Sequence, residues 1–169
     1  MAIENDLSLI LEQERVLQFD RFDLGSAWEL GSRLRDMAVS GGHSVAIDIQ
    51  MNGMPAFYAA LPGSVPDNAQ WIRRKRNVAM RFGHPSYAIG LGLALENRTL
   101  SDKYGVDPAD YAAHGGSFPI VVRGVGSIGT VTVSGLPQRE DHKMVVQAIA
   151  DMMGLDGRSI DLDIAPVVV

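Results

Sequence analysis

Lys75 stands at the centre of an apolar helical stripe. At 100° per residue, Trp71, Ile72, Val78, Ala79 and Phe82 share its face, Arg76 lies near the edge, and Arg73, Arg74 and Arg81 fall on the solvated side. Burying an unpaired ammonium is expensive. Lys75 therefore extends its stem to water, pairs with a carboxylate such as Asp48 or Asp141, or lines a pocket and meets an anionic ligand. Trp71 is expected as a core ring, with stacking inside such a pocket as the alternative. A second option lies in His114-Gly115-Gly116, where glycines beside a histidine let backbone N–H groups approach an anion. The same residues also suit a tight turn with positive φ and a surface histidine.

The third option is His142, which shares a helical face with Val145, Val146, Ile149 and Met153 and points inward from the first helical turn. There the helix dipole favours neutral imidazole, suited to a general base or a metal ligand. The plainer alternative is a core histidine satisfied by a backbone group. Arg139 precedes it as a candidate anion binder, and Asp141 suits the helix N-terminus. A metal shared by His114 and His142 would join two separate elements. Sharper motifs are missing: the sequence has no P-loop, zincin pattern, nucleophile elbow or complete dinucleotide fingerprint. Gly90-Leu91-Gly92 reads as close helix packing.

Around these positions the order of elements is helix, helix, hairpin, helices, hairpin, helix. A first helix is predicted over about 5–19, with Leu7, Ile10, Leu11 and Val16 inward, and a second over 24–39, capped by Asp23 and stopped by Gly41-Gly42. Asn52-Gly53 between two extended runs specifies a type I′ hairpin. Its simple register pairs Met51 with Met54, Ile49 with Ala56, Ile47 with Tyr58 and Val45 with Ala60, leaving Asp48, Gln50 and Phe57 on the other face. Pro66-Asp67 opens a helix that Gly83 closes. Helical pieces are expected near 87–96, 100–104 and 108–113. A second hairpin over 118–123 and 127–134 turns at Gly124-Val125-Gly126, and a helix over 138–153 ends at Gly154. Two hairpins separated by helices imply an antiparallel sheet covered by helices, an α+β fold in a single domain over 1–169.

Composition narrows the function classes. The 169 residues are 46% hydrophobic and 21% charged, with 18 glycines and a net charge of −5. No cysteine is present, which removes thiol nucleophiles, cysteine-ligated metals and disulfide scaffolds. An acidic chain is a poor nucleic-acid binder, because that affinity rests on neutralising phosphates. The acidic start and the lack of a long apolar run predict neither a secretory signal nor membrane insertion, and hence a cytoplasmic protein.

Three motifs then carry a resemblance. Trp71-Ile-Arg-Arg-Lys-Arg76, His114-Gly-Gly-Ser-Phe-Pro-Ile120 and Gly129-Thr-Val-Thr-Val-Ser-Gly-Leu-Pro-Gln-Arg-Glu-Asp-His142 resemble the uncharacterised-protein branch of the GlcG/HbpS-like family. That family is often labelled a haem-degrading or haem-binding domain. The resemblance spans essentially the whole chain and implies a profilin-like or PAS-like fold and a ring-like or layered homo-oligomer. Some members bind haem and take part in redox sensing or haem breakdown, and one distant member is connected with a chaperone pathway for tail-anchored proteins. The positions in matching motifs are Lys75, Arg76, His114, Gly115, Gly116, Arg139 and His142. The leading expectation is a homo-oligomeric binder of haem or another small anion. The alternatives are an enzyme on a small acid or haem, with His142 as base and Lys75 or Arg139 holding the anion, and a non-enzymatic interaction scaffold.

Overall fold

A computed structural model describes residues 2–164. Its elements are α1 (Ala2–Val16), α2 (Leu24–Gly41), β1 (Ala46–Met51), β2 (Met54–Ala60), α3 (Pro66–Phe82), α4 (Ser86–Leu95), α5 (Leu100–Tyr104), β3 (Ser117–Val122), β4 (Gly126–Ser134) and α6 (Gln138–Met153), then a 3-10 turn at Gly157–Ile160. The strands form one antiparallel sheet in the order β2-β1-β4-β3. Each outer strand is thus hairpin-linked to its inner neighbour, and β1 meets β4 along the middle. This is the expected α+β architecture.

The two faces of the sheet differ. Ile47, Ile49, Val131, Val133, Phe118 and Ile120 pack under α2 and α6, against Leu30, Leu34, Val145 and Ile149. The other face carries Asp48, Ser117, Thr130, Thr132 and Ser134, all buried, with α3 laid across it. A two-sided sheet of this kind forms three layers.

Helix boundaries follow their punctuation. Asp23 caps α2 by accepting from Ser26 N–H at 2.9 Å, and Gly42 and Gly83 take left-handed conformations that end α2 and α3. The predicted helix over 108–113 is instead a turn. Ala109 N–H bonds the Asp107 side chain at 2.8 Å, Asp110 and Tyr111 N–H close a single turn on Asp107 O at 3.0 and 3.1 Å, and Ala112 N–H then bonds Arg74 O of α3 at 3.1 Å instead of continuing a helix.

Two further expectations are corrected. The first hairpin has a bulge after Ile49, so Ile49 faces Phe57, Asp48 faces Tyr58 and Ile47 faces Ala59. Phe57 is therefore carried into the core, where its ring lies on Gly31 so closely that a Cβ there would stand 2.3 Å away, while Tyr58 is exposed. The buried stripe of α1 is also rotated: Asp6, Ile10 and Gln13 point inward and Leu11 is exposed. The reason is polar, since Asp6 and Gln13 satisfy groups on α6.

Candidate functional site

Lys75 is 2% exposed, and its Nζ donates to Val133 O at 2.6 Å, Gly115 O at 3.0 Å and Asp141 Oδ2 at 3.1 Å. Three acceptors for three N–H groups make this a fully committed ammonium. Asp141, equally buried, also accepts from Leu136 N–H at 2.9 Å and Gly135 N–H at 3.3 Å, the backbone leading into α6. Burial pushes the Lys75 pKa down and the Asp141 pKa up, toward the neutral forms, and the opposite charge of each acts against that. Of the two carboxylates foreseen, Asp141 takes Lys75. Asp48 takes Arg76, at 2.9 Å.

The glycines beside His114 make room for this pair. A Cβ at Gly116, whose φ is +132°, would stand 2.5 Å from Lys75 Nζ and 2.3 Å from Val133 O. One at Gly115 would stand 2.2 Å from Gln138 O. Gly115 N–H donates to Gln138 Oε1 at 3.0 Å. Here the close approach that glycine allows is to the protein's own backbone and ammonium.

Against this hub lies a cleft of ≈ 220 Å³, lined by Trp71, Lys75, His114, Leu136, Gln138 and Asp141 among others. Trp71 is not a core ring. It is half-buried at the cleft wall, 5.2 Å from the His114 ring, with the Arg74 guanidinium over the ring, 4.7 Å from its centroid. His114 is exposed, and its pKa is lowered by partial burial and then by the positive charges of Lys75 and Arg74. It also lines an adjoining cleft of ≈ 330 Å³ with Arg74 and Arg98. Gly90 closes that region, as a Cβ there would stand 2.1 Å from Ala113 O. The basic run works as a strap here: Arg73 pairs with Asp110 at 2.9 Å and Arg74 donates to Pro108 O at 2.8 Å.

Arg139 and His142 are placed elsewhere. Arg139 bonds both oxygens of Asp6, at 3.0 and 3.1 Å, together with Asp163 at 2.6 Å and Leu162 O at 2.8 Å, and so ties α1 and the C-terminal segment to α6. Lys143 also pairs with Asp163. Tyr87 donates to Asp6 at 3.2 Å, and its pKa is pushed up to about 12, chiefly by burial. His142 is 1% exposed between the Tyr87 and Phe118 rings, with Nε2 2.8 Å from Gln13 Oε1. Gln13 in turn donates to Ile160 O at 2.7 Å. Burial lowers the His142 pKa to about 3. It lines neither cleft around His114, and the described residues contain no group of three or more His, Cys, Asp or Glu side chains arranged to hold a metal.

Sequence reasoning overlooked Gln138, Asp6 and Gln13. Gln138 follows Pro137 as the first residue of α6, a position from which a side chain faces the preceding loop. Asp6 and Gln13 read as solvent-facing polar residues, and nothing local marks them as partners of Arg139 and His142. No helix among the described residues is long and apolar enough to cross a membrane.

Comparison with known proteins agrees with this architecture. A UPF0303 protein of Rhizobium etli is 56% identical over 156 residues, covering 92% of this chain and 94% of the relative. The crystal structure of Ybr137w protein superposes with a TM-score of 0.82 at 33% identity, over 88% of this chain and 87% of that one. That of a PduOC:Heme complex superposes with a TM-score of 0.65 at 16% identity, over 76% and 93%, a likeness of fold alone. The family model described as "Haem degrading protein HbpS-like" matches residues 22–150. Because that model spans most of the chain, the chain belongs to the HbpS-like family.

Proposed function

We propose that this chain binds a small anionic molecule at His114, with haem as the first candidate, and that it works as a homo-oligomer. The observation that carries the reading is a solvent-reachable imidazole on the wall shared by two clefts, flanked by cationic side chains. The charges that lower its pKa also attract anions and keep the ring unprotonated, with a lone pair free to donate. Lys75 contributes through its field, because its three N–H groups are already engaged.

The residues fit haem at three points. The His114 imidazole would hold the iron, the half-buried Trp71 ring offers a flat wall, and Arg74 and Arg98 line the adjoining cleft where carboxylates would find partners. A cleft of ≈ 220 Å³ falls below the roughly 300–1,000 Å³ of sites that enclose drug-sized ligands, so neither a haem nor its like is swallowed by it alone. Bound haem would supply an iron centre and a Soret band. The family's description and the haem named with the PduOC neighbour support this choice of ligand. Self-association is supported by large side chains left in water, Trp28 at 67% and Tyr58 at 52% exposure.

Titration of the purified protein with hemin tests the reading. A Soret shift that is lost in His114→Ala and kept in His142→Gln is expected. Absence of any shift removes haem as the ligand, and a shift unchanged in His114→Ala removes His114 as its holder.

A further inference from the structure

The two edges of the sheet are treated differently by the chain. Beside β3, the segment after α1 runs alongside: Phe19 N–H donates to Val121 O at 2.8 Å, and Arg123 N–H donates to Phe19 O at 2.9 Å. Beside β2, the described residues supply no such neighbour. Leu61 N–H donates to Val45 O at 2.9 Å, and by alternation Phe57 and Ala59 turn their backbone groups toward β1. The N–H and C=O groups of Tyr58 and Ala60 are left on the open side.

Exposed edges are normally blunted by charge, proline or bulges. Met54–Ala60 contains no charged residue, and Pro55 and the bulge guard only its first half. The second half is flanked by aromatic rings on both faces. Trp28 stands on the α2 side, its ring 5.6 Å from Phe57, and Tyr58 projects on the opposite side. Between α2 and this strand lies a groove of ≈ 610 Å³, lined by Trp28, Ser32, Arg35, Asp36 and the strand itself. Arg35 and Asp36 are exposed neighbours of opposite charge, and neither forms an ion pair with any described residue.

We propose that β2 pairs with β2 of a second copy of this chain, antiparallel, about a twofold axis perpendicular to the sheet. This rests on the homo-oligomer reading above and names its surface. Such an axis turns the two sheets into one of eight strands and keeps both α2 helices on the same side. An isologous contact requires a patch complementary to itself. The adjacent Arg35 and Asp36 meet that requirement, each answering the other across the axis, and an uncharged strand meets it along the edge. The Tyr58 and Ala60 backbone groups then find ladder partners, and Trp28 and Tyr58 leave water.

Light scattering during gel filtration, with sedimentation velocity across a dilution series, tests the surface. Arg35→Glu and Asp36→Arg are each expected to weaken self-association roughly ten-fold, by placing like charges across the axis. The double variant R35E/D36R is expected to restore it, an outcome that misfolding would not produce. Tyr58→Lys should weaken it independently. A wild-type monomer at every concentration overturns both this surface and the homo-oligomer reading. An oligomer indifferent to all four variants overturns this surface alone and leaves self-association standing, and hemin binding is read separately from either.

Discussion

Lys75 and His142 are both basic side chains on the inward stripe of a helix, one on each side of the sheet, and the protein settles them in opposite ways. On the polar face, Lys75 sets its Nζ among three acceptors, a buried carboxylate among them. On the apolar face, His142 stays neutral, held by one amide from α1 and packed between two rings. An ammonium keeps its proton when enough acceptors surround it, whereas imidazole can shed a proton and needs only one good partner. The pattern that turns a base inward is the same in both helices. What differs is the partner, and that partner comes from a distant part of the chain.

The sharpest way to break this contrast is to remove the partner of Lys75. Asp141→Ala leaves a buried ammonium without its counter-charge and is expected to cost about 3–5 kcal/mol, read from urea unfolding at neutral pH. A loss below about 1 kcal/mol would mean that the backbone carbonyls alone hold the charge.

The pH dependence probes the other side. The folded-state pKa of His142, about 3, lies below its ordinary 6.5. The unfolded chain therefore takes up a proton that the folded chain refuses as pH falls from about 6.5 toward 3. Stability is lost over that window at up to about 1.4 kcal/mol per pH unit from this group, and is fully present above it. His142→Gln should flatten that part of the curve, and identical slopes in the two proteins would exclude His142 as its source.

The smallest expected effect concerns Thr130 on the polar face, whose Oγ1 is buried without a hydrogen-bond partner among the described residues. Thr130→Val removes that hydroxyl at nearly constant shape and is expected to stabilise by up to about 1 kcal/mol, seen as a raised Tm. A loss of stability instead would show that the hydroxyl is satisfied by bound water.

Features set by local chemistry were legible in the sequence. Pro66 and Gly83 bound α3, Asn52-Gly53 turns the first hairpin, Lys75 and His142 point inward, and Asp141 was one of two carboxylates foreseen for Lys75. Features set by packing were not. The bulge after Ile49 goes with the fit of Phe57 on Gly31, twenty-six positions earlier on another element, which no alternation of residues encodes. The rotation of α1 follows Asp6 and Gln13, whose burial is stable only because Arg139 and His142 wait on α6. Trp71 matched the apolar stripe of α3 yet borders a cleft, its ring set beside that of His114 from the loop before β3.

The central pairing of β1 with β4 bears on how the chain reaches this structure. Each hairpin closes a short loop and can form early, but the seam between them joins segments separated by all of α3, α4 and α5. Loop-closure entropy must be met before that seam returns any stabilising contact, so its formation is expected to be the slow step. Until it closes, the inner edges of both hairpins are unpaired, and the interval of greatest aggregation hazard is the one just before the two halves of the sheet join.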